Sequence, residues 1–188
     1  MPRLTPITAR SQVEAGGEDA FDRVIASRGR VNAPVSMLLY VPEVGAISTA
    51  MSDAVRFGTK VMSEGDVELG ILTACREFDI PYIWGQHVER AVSFGVDRAV
   101  IDALSRLQPI PPTTRRHTLI PRFGHALLTQ HLVPQALFDE MVEDLGERGL
   151  MELVSLFGHV LTGGCALITA DYDPEPGAPI LPPRASLV

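Results

Sequence analysis

Apolar residues recur at helical spacing along almost the whole chain, and no segment alternates cleanly between apolar and polar residues. Recurrence every three to four residues is typical of amphipathic helices, whereas half-buried strands alternate at every second residue. Residues 28–34 read as a turn, and Ser63 with Asp66 forms an approximate capping box at the start of a helix. The pattern predicts an all-α helical bundle, with helices at about residues 19–27, 42–57, 63–79, 81–94, 97–107, 115–130, 134–145 and 149–170.

Two proline-rich stretches define the predicted domain organisation. Residues 108–114 read Gln-Pro-Ile-Pro-Pro-Thr-Thr and are predicted to link two helical halves. Residues 173–188 are also rich in proline and contain few groups to bury. We therefore expect a single all-α domain over residues 1–172, followed by an extended tail that becomes ordered only if it packs on a neighbour.

The charge of the chain restricts its partners. The formal net charge is −7 at pH 7, and only one of the 16 basic residues is a lysine. Nucleic-acid binding needs clustered lysine and arginine side chains, so we expect no nucleic-acid partner. Arginine suits bidentate binding of carboxylates, which favours a small organic acid as ligand. A coding bias towards arginine explains the same composition equally well.

The sequence also argues against a membrane or secreted protein. No apolar run approaches the roughly 18 residues of a membrane span, and the first ten residues lack the apolar core of a signal peptide. Cys75 and Cys165 lie far apart and belong to no Cys-x-x-Cys motif. We expect two reduced thiols in a cytoplasmic protein.

Two titratable residues fall on the apolar stripes of adjacent predicted helices. His87 follows Ile80 by seven residues and Trp84 by three, so it shares their helical face. Glu68 precedes Ile71 by three residues and points inward from the preceding helix. Because an unpartnered buried carboxylate is costly, we expect Glu68 to pair with His87. The alternative is an ordinary core histidine beside a solvated Glu68.

The sequence around this pair resembles a known family. The run Glu-Leu-Gly-Ile-Leu-Thr-Ala-Cys-Arg at residues 68–76 is followed by Tyr-Ile-Trp-Gly-Gln-His at residues 82–87. These runs are similar to the R-E-L-x-I-L-x-V-A-R and Y-E-W-x-x-H signature of carboxymuconolactone decarboxylase-like proteins. The matching positions are Glu68, Arg76, Tyr82, Trp84 and His87. Weaker likeness downstream, at residues 95–104 and 150–154, extends the resemblance over about residues 30–175.

The resemblance implies an all-α scaffold that two branches share. The alkylhydroperoxidase-like branch carries a Cys-x-x-Cys motif shortly before the histidine, and Ile80 and Ile83 stand at those cysteine positions here. Thiol redox chemistry requires a thiolate, so the resemblance implies that this activity is missing. In the decarboxylase branch a glutamate is common at the position of Ile83. Its replacement makes the pocket more apolar and implies that the reaction differs in detail.

The resemblance also implies the roles of the site residues. His87 would transfer protons and Glu68 would orient its ring, without a cofactor, because a conjugated lactone acid can delocalise its own electrons. Arg76, Tyr82, Trp84 and His131 are the predicted substrate-binding residues. Each has an alternative: an ion pair with Glu77 or Asp79 for Arg76, a surface position for Tyr82, core packing for Trp84, and capping of helix carbonyls for His131.

The spacing of the histidines gives no signature of a metal site. His87, His125, His131 and His159 include no pair at i,i+4 spacing, so we predict no metal site. His159 lies mid-helix between apolar residues, where a core or interface position is favoured over catalysis.

The leading functional prediction is a cofactor-free decarboxylase, a carbon–carbon lyase acting on a small carboxylated lactone or related acid from aromatic-compound breakdown. One alternative is a cofactor-free isomerase or ring-opening hydrolase that uses the same site. Another is a non-enzymatic oligomeric binding protein that has lost its redox cysteines. The resemblance further implies a homo-oligomer, either a trimer or a hexamer.

Overall fold

The computed structural model describes residues 2–187 and confirms the predicted all-α fold, with no β-strand in that range. Short 3-10 turns lie at Arg10–Gln12 and Arg184–Ser186. The α-helices are α1 (Glu18–Arg28), α2 (Ala33–Leu38), α3 (Pro42–Ser52), α4 (Glu64–Glu77), α5 (Pro81–Ser93), α6 (Arg98–Ser105), α7 (Arg115–Leu128) and α8 (Gln135–Thr169).

Helix α2 was not predicted, and it begins inside the stretch that the sequence pattern assigns to a turn. The Asn32 side chain caps this helix by accepting a hydrogen bond from the backbone N–H of Val35 at 3.0 Å. Pro34 lies in its first turn, where a backbone N–H has no helical partner to lose. The helix has only six residues, too few to show a helical period in the sequence.

Other helix ends follow their local sequence signals. The capping box is present, because the Ser63 side chain accepts from the Asp66 N–H at 3.1 Å and Asp66 accepts from the Ser63 N–H at 2.9 Å. Helix α3 passes into a π-helical turn at Asp53–Phe57. Helix α8 covers both C-terminal predicted helices, and it is interrupted at Gly146, whose φ of 67° and ψ of 169° are non-helical.

Helix α4 lies at the centre of the structure. Every residue from Gly65 to Glu77 is buried, and the helix packs against α5, α6, α7 and α8. Helices α1, α2 and α3 pack together around a smaller apolar cluster that includes Phe21, Val24 and Leu39. A polar side chain on α4 is thus held inside the protein and needs an internal partner.

Helix α8 is the one helix within residues 2–187 that is long and apolar enough to cross a membrane by length and composition. In its most apolar window, 39% of the residues are buried inside the protein. Leu153, Leu156 and Phe157 are among the buried residues of this helix and belong to the main core. Core helices of globular proteins meet the same criterion of length and composition.

Candidate functional site

The expected pair between Glu68 and His87 is present. Helices α4 and α5 are joined by a short turn and lie side by side, which brings the two side chains together. The Nδ1 atom of His87 lies 2.5 Å from Oε2 of Glu68. The Glu68 side chain is only 3% exposed, so this carboxylate is a buried charge that the neighbouring groups must neutralise.

Two arginines complete the surroundings of Glu68. The Nε atom of Arg90, on α5, donates to Oε1 of Glu68 at 3.1 Å. Arg56, from the π-helical turn after α3, approaches the same oxygen at 3.4 Å. One carboxylate oxygen therefore faces the imidazole and the other faces two guanidinium groups.

The protonation state of the pair follows from these contacts. Burial lowers the pKa of His87, and the adjacent Glu68 carboxylate offsets this only in part. Burial by itself would raise the pKa of Glu68, but the hydrogen bond from His87 and the charges of Arg56 and Arg90 leave it below its ordinary value. Near neutral pH the pair thus consists of an ionised Glu68 and a neutral His87. The Nδ1–H group donates to the carboxylate, and Nε2 retains its lone pair.

His87 borders a cavity of about 320 Å³ that lies between α2, α3, α5 and α8. This volume is at the small end of the usual range for ligand pockets. Ser48, Thr49 and Gln86 contribute neutral polar groups to its wall, and Ile71, Ile83 and Val160 contribute apolar ones. The ionisable lining is mainly basic and consists of Arg28, Arg30, Arg56, Arg90, His87, His159, Tyr82 and Glu175.

The C-terminal tail contributes to the cavity of its own chain. The Tyr82 hydroxyl donates to Oε1 of Glu175 at 3.2 Å, and its ring packs edge-on against Tyr172, with centroids 5.1 Å apart. Burial and the charge of Glu175 raise the pKa of Tyr82 to about 12, so its hydroxyl stays protonated and can donate. Further along the tail, Leu181 is buried in the main core. The tail therefore packs within one chain, whereas the sequence suggested a neighbour.

Arg76 lies outside the cavity and acts within the core. Its guanidinium is fully buried and donates to the carbonyl oxygens of Ser105 at 2.8 Å and Pro182 at 2.7 Å. It also forms an ion pair with Asp79. The structural ion pair, one of the two roles that the sequence allowed for Arg76, is thus present. The hydrogen bond to Pro182 also joins α4 to the tail.

Trp84 and His131 also lie outside the cavity lining. Trp84 is 2% exposed and fills the main core, as its apolar stripe indicated. His131 is exposed, follows the end of α7 and has a positive φ of 54°. Of the four predicted substrate-binding residues, only Tyr82 borders the cavity.

Neither cysteine takes the place of the redox cysteines found in the alkylhydroperoxidase-like branch. Ile80 and Ile83 occupy the positions where that branch has its cysteines, and Ile83 lines the cavity. Cys75 is completely buried, and burial raises its pKa well above the ordinary value. Cys165 is exposed on α8. Between residues 2 and 187, no group of three or more His, Cys, Asp or Glu side chains is arranged to hold a metal ion.

A second cavity, of about 290 Å³, borders the other side of Glu68. It shares Arg56 and Arg90 with the first cavity, and its rim includes Phe57 and Phe94. Arg56 and Arg90 lie over these two rings, at 5.3 Å and 5.6 Å from their centroids. The ion pairs of Glu68 therefore form part of the wall between two cavities.

Most of the basic residues that line the cavity were not predicted from the sequence. Arg90 follows His87 by three residues on the same helix, and this spacing was the available signal. Arg28, Arg56 and His159 lie on other helices, and no local pattern relates them to His87. They enter the site only because the end of α1, the π-helical turn after α3 and the middle of α8 border the same cavity as His87.

The fold is an all-α core of the alkylhydroperoxidase AhpD type. The structure is similar to the AhpD core of an uncharacterised peroxidase-related protein from Ralstonia eutropha JMP134. The TM-score is 0.70 and the identity 15%, over 93% of each chain.

It is also similar to the debrominase Bmp8. A cysteine-to-alanine variant of that protein in complex with 2,3,4-tribromopyrrole has a TM-score of 0.68 at 14% identity, over 94% of this chain and 95% of that one. The apo form has a TM-score of 0.65 at 16% identity, over 98% and 97%. No protein-family model and no curated protein sequence matches the chain. The similarities confirm the predicted scaffold.

Proposed function

We propose that this protein is an enzyme that performs cofactor-free acid–base chemistry on a small organic acid, with decarboxylation of a carboxylated lactone as the leading reaction. The observation that carries the proposal is the neutral His87, backed by the buried Glu68 carboxylate, at the wall of a basic cavity. A carboxylate fixes the tautomer and orientation of such a histidine, as a general acid–base catalyst requires. The neighbours of the same fold include a peroxidase-related protein and a debrominase, which supports an enzyme in the broad sense.

The reaction requires no external electron acceptor. When the C–CO2 bond of a lactone acid breaks, its electron pair passes into the conjugated carbonyl group and forms an enolate-type anion. Protonation of that carbon consumes one proton, which water supplies through Nε2 of His87, and the imidazole is neutral before and after the transfer. Arginine side chains near the leaving carboxylate orient it, and burial limits its hydration.

The size and charge of the cavity support a small anionic substrate. Its volume of about 320 Å³ suits a molecule of one ring with a few substituents. The structure of the debrominase holds 2,3,4-tribromopyrrole, a ligand of that size. Four arginines and one carboxylate, Glu175, line the cavity, and Asp53 and Glu68 together pair with three of these arginines. The positive charge that remains favours a substrate that carries a negative charge. Ile83 adds an apolar wall beside His87.

Isomerisation by proton transfer is the second candidate, and the state of His87 favours it. A neutral imidazole with a free Nε2 lone pair is ready to remove a proton from carbon next to a carbonyl group. The same enolate-type anion forms, but no CO2 leaves. The two reactions therefore share a site and an enolate-type intermediate, and they differ in their products.

The test is to incubate the protein with 4-carboxymuconolactone in D2O and to follow CO2 release and deuterium incorporation together. CO2 release supports decarboxylation, and deuterium exchange without CO2 supports isomerisation. His87→Ala should abolish either signal with the fold preserved. His125→Ala is the matched control, since His125 pairs with Glu77 and is not part of the cavity lining. Absence of both signals with this compound would argue against this substrate and would strengthen the binding-protein alternative.

We also propose that the protein is a cytoplasmic homo-oligomer. Helix α3 presents an exposed apolar stripe in which Val44, Ile47 and Met51 are 40%, 65% and 38% exposed. Adjacent exposed apolar residues often mark a protein–protein contact. Light scattering at several protein concentrations tests this proposal, and a monomer at all concentrations would contradict it.

A further inference from the structure

Helix α8 places a second histidine in the cavity that His87 borders. His159, Val160 and Gly163 all contribute to its wall. A Cβ atom at Gly163 would lie 3.0 Å from the Cβ of Pro34, so glycine lets α8 approach α2 at this point. His159 is half-buried, and no hydrogen bond joins its ring to any side chain or backbone group within residues 2–187. Its polar ring atoms are therefore available to a ligand.

The two histidines have opposite electrostatic surroundings. His87 is bonded to a carboxylate, whereas the charged groups that act on His159 are Arg56 and Arg28. Burial, reinforced by these two arginines, lowers the pKa of His159 to about 4. At neutral pH its ring is thus uncharged and always carries one N–H donor.

The arginines beside His159 are incompletely neutralised. Arg28 forms an ion pair at 2.7 Å with Asp53, which is 43% exposed. Arg56 reaches Glu68 only at 3.4 Å and shares it with Arg90. The Nε atom of Arg56 is buried without a hydrogen-bond partner among residues 2–187. Three guanidinium groups thus share two carboxylates, which leaves positive charge and an N–H donor for a bound anion.

We propose that His159, with Arg56 and Arg28, forms an oxyanion subsite in which the neutral imidazole donates a hydrogen bond to the substrate oxygen that gains negative charge. This inference rests on the proposed function and names the group that stabilises its intermediate. Loss of CO2 or of a proton leaves an electron pair on carbon, and that pair moves onto the carbonyl oxygen. A neutral imidazole held by its surroundings can polarise such an oxygen without transferring its proton. The subsite serves decarboxylation and isomerisation equally.

The inference can be tested by ligand binding, without turnover. The probe is 4-nitrophenolate, a planar oxyanion whose absorbance reports its surroundings, and uncharged 4-nitroanisole is the matched ligand. His159→Phe removes the donor but retains a ring, whereas His159→Gln retains an N–H donor. We expect His159→Phe to weaken phenolate binding by about tenfold or more, the usual effect of losing a hydrogen bond to a charged group. Its affinity for the anisole should stay the same, and His159→Gln should recover most of the phenolate affinity.

Four results would overturn the inference: no phenolate binding by the unaltered protein, normal phenolate binding by His159→Phe, equal weakening of both ligands by His159→Phe, or no recovery by His159→Gln. His125→Phe is the control variant, because that side chain is outside the cavity lining. Helical circular dichroism checks the fold of each variant. If the phenolate results hold while no lactone is converted, the subsite stands and the proposed function fails. If the lactone is converted while His159→Phe binds phenolate normally, the proposed function stands and the subsite fails.

Discussion

Replacing Glu68 with glutamine tests the electrostatic account of the site. The substitution keeps the shape of the side chain and an oxygen that can accept from His87, but it removes the charge that neutralises Arg56 and Arg90. Breaking a buried ion pair on one side costs about 3–5 kcal/mol. Because Arg90 is 48% exposed and solvent screens it, and because one hydrogen bond survives, we expect Glu68→Gln to lower the free energy of unfolding by about 2–4 kcal/mol at pH 7.

The stabilisation that Glu68 provides should depend on pH, because its carboxylate must be ionised to neutralise the arginines. The pKa of Glu68 lies below the ordinary value of 4.5 in the folded protein, so its charge stabilises the fold above that pH. The contribution disappears as the pH falls through the lowered pKa of the folded state. The difference in unfolding free energy between the unaltered protein and Glu68→Gln should therefore be largest near neutral pH and narrow progressively below pH 4.5.

The measurement is urea unfolding of both proteins at a series of pH values, supported by thermal melts. For a chain of this size, a loss of 2–4 kcal/mol lowers the melting temperature by roughly 4–16 °C. Glu140→Gln is the control, because its ion pair with Arg122 is exposed on both sides and should contribute less than about 1 kcal/mol. A loss for Glu68→Gln as small as that of the control, or a difference that stays constant down to about pH 3, would refute the reasoning.

Two further predictions concern the tail and the thiols. Leu181→Ala should lower the free energy of unfolding by about 2–4 kcal/mol, because the side chain is 5% exposed and packs in the main core; stability equal to that of the unaltered protein in urea unfolding would mean that the tail does not pack there. In the native protein a thiol reagent that absorbs on reaction should titrate Cys165 alone, and Cys75 should react only after unfolding, because Cys75 is buried with a raised pKa. Rapid reaction of two thiols in the native state would contradict this burial.

Much of the scaffold could be predicted because helices depend on local signals. The capping box of Ser63 and Asp66 lies within four consecutive residues, so the sequence alone locates the start of α4. Gly146 interrupts α8 between the two predicted helices, since glycine tolerates the positive φ found there. The six-residue α2 could not be predicted in the same way, because its cap at Asn32 resembles an ordinary turn.

The pairing of Glu68 with His87 could be predicted from the sequence, because both lie on the inward faces of two helices joined by a short turn, and the structure selects it over a core histidine beside a solvated Glu68. What surrounds the pair was decided only by the tertiary structure. Arg56 and His159 come from helices far apart in the chain, and their positions relative to His87 depend on how α3 and α8 pack. For the same reason His159 read as a core or interface histidine. Helical periodicity shows which side of a helix is buried, but contacts with other helices determine which charges meet there.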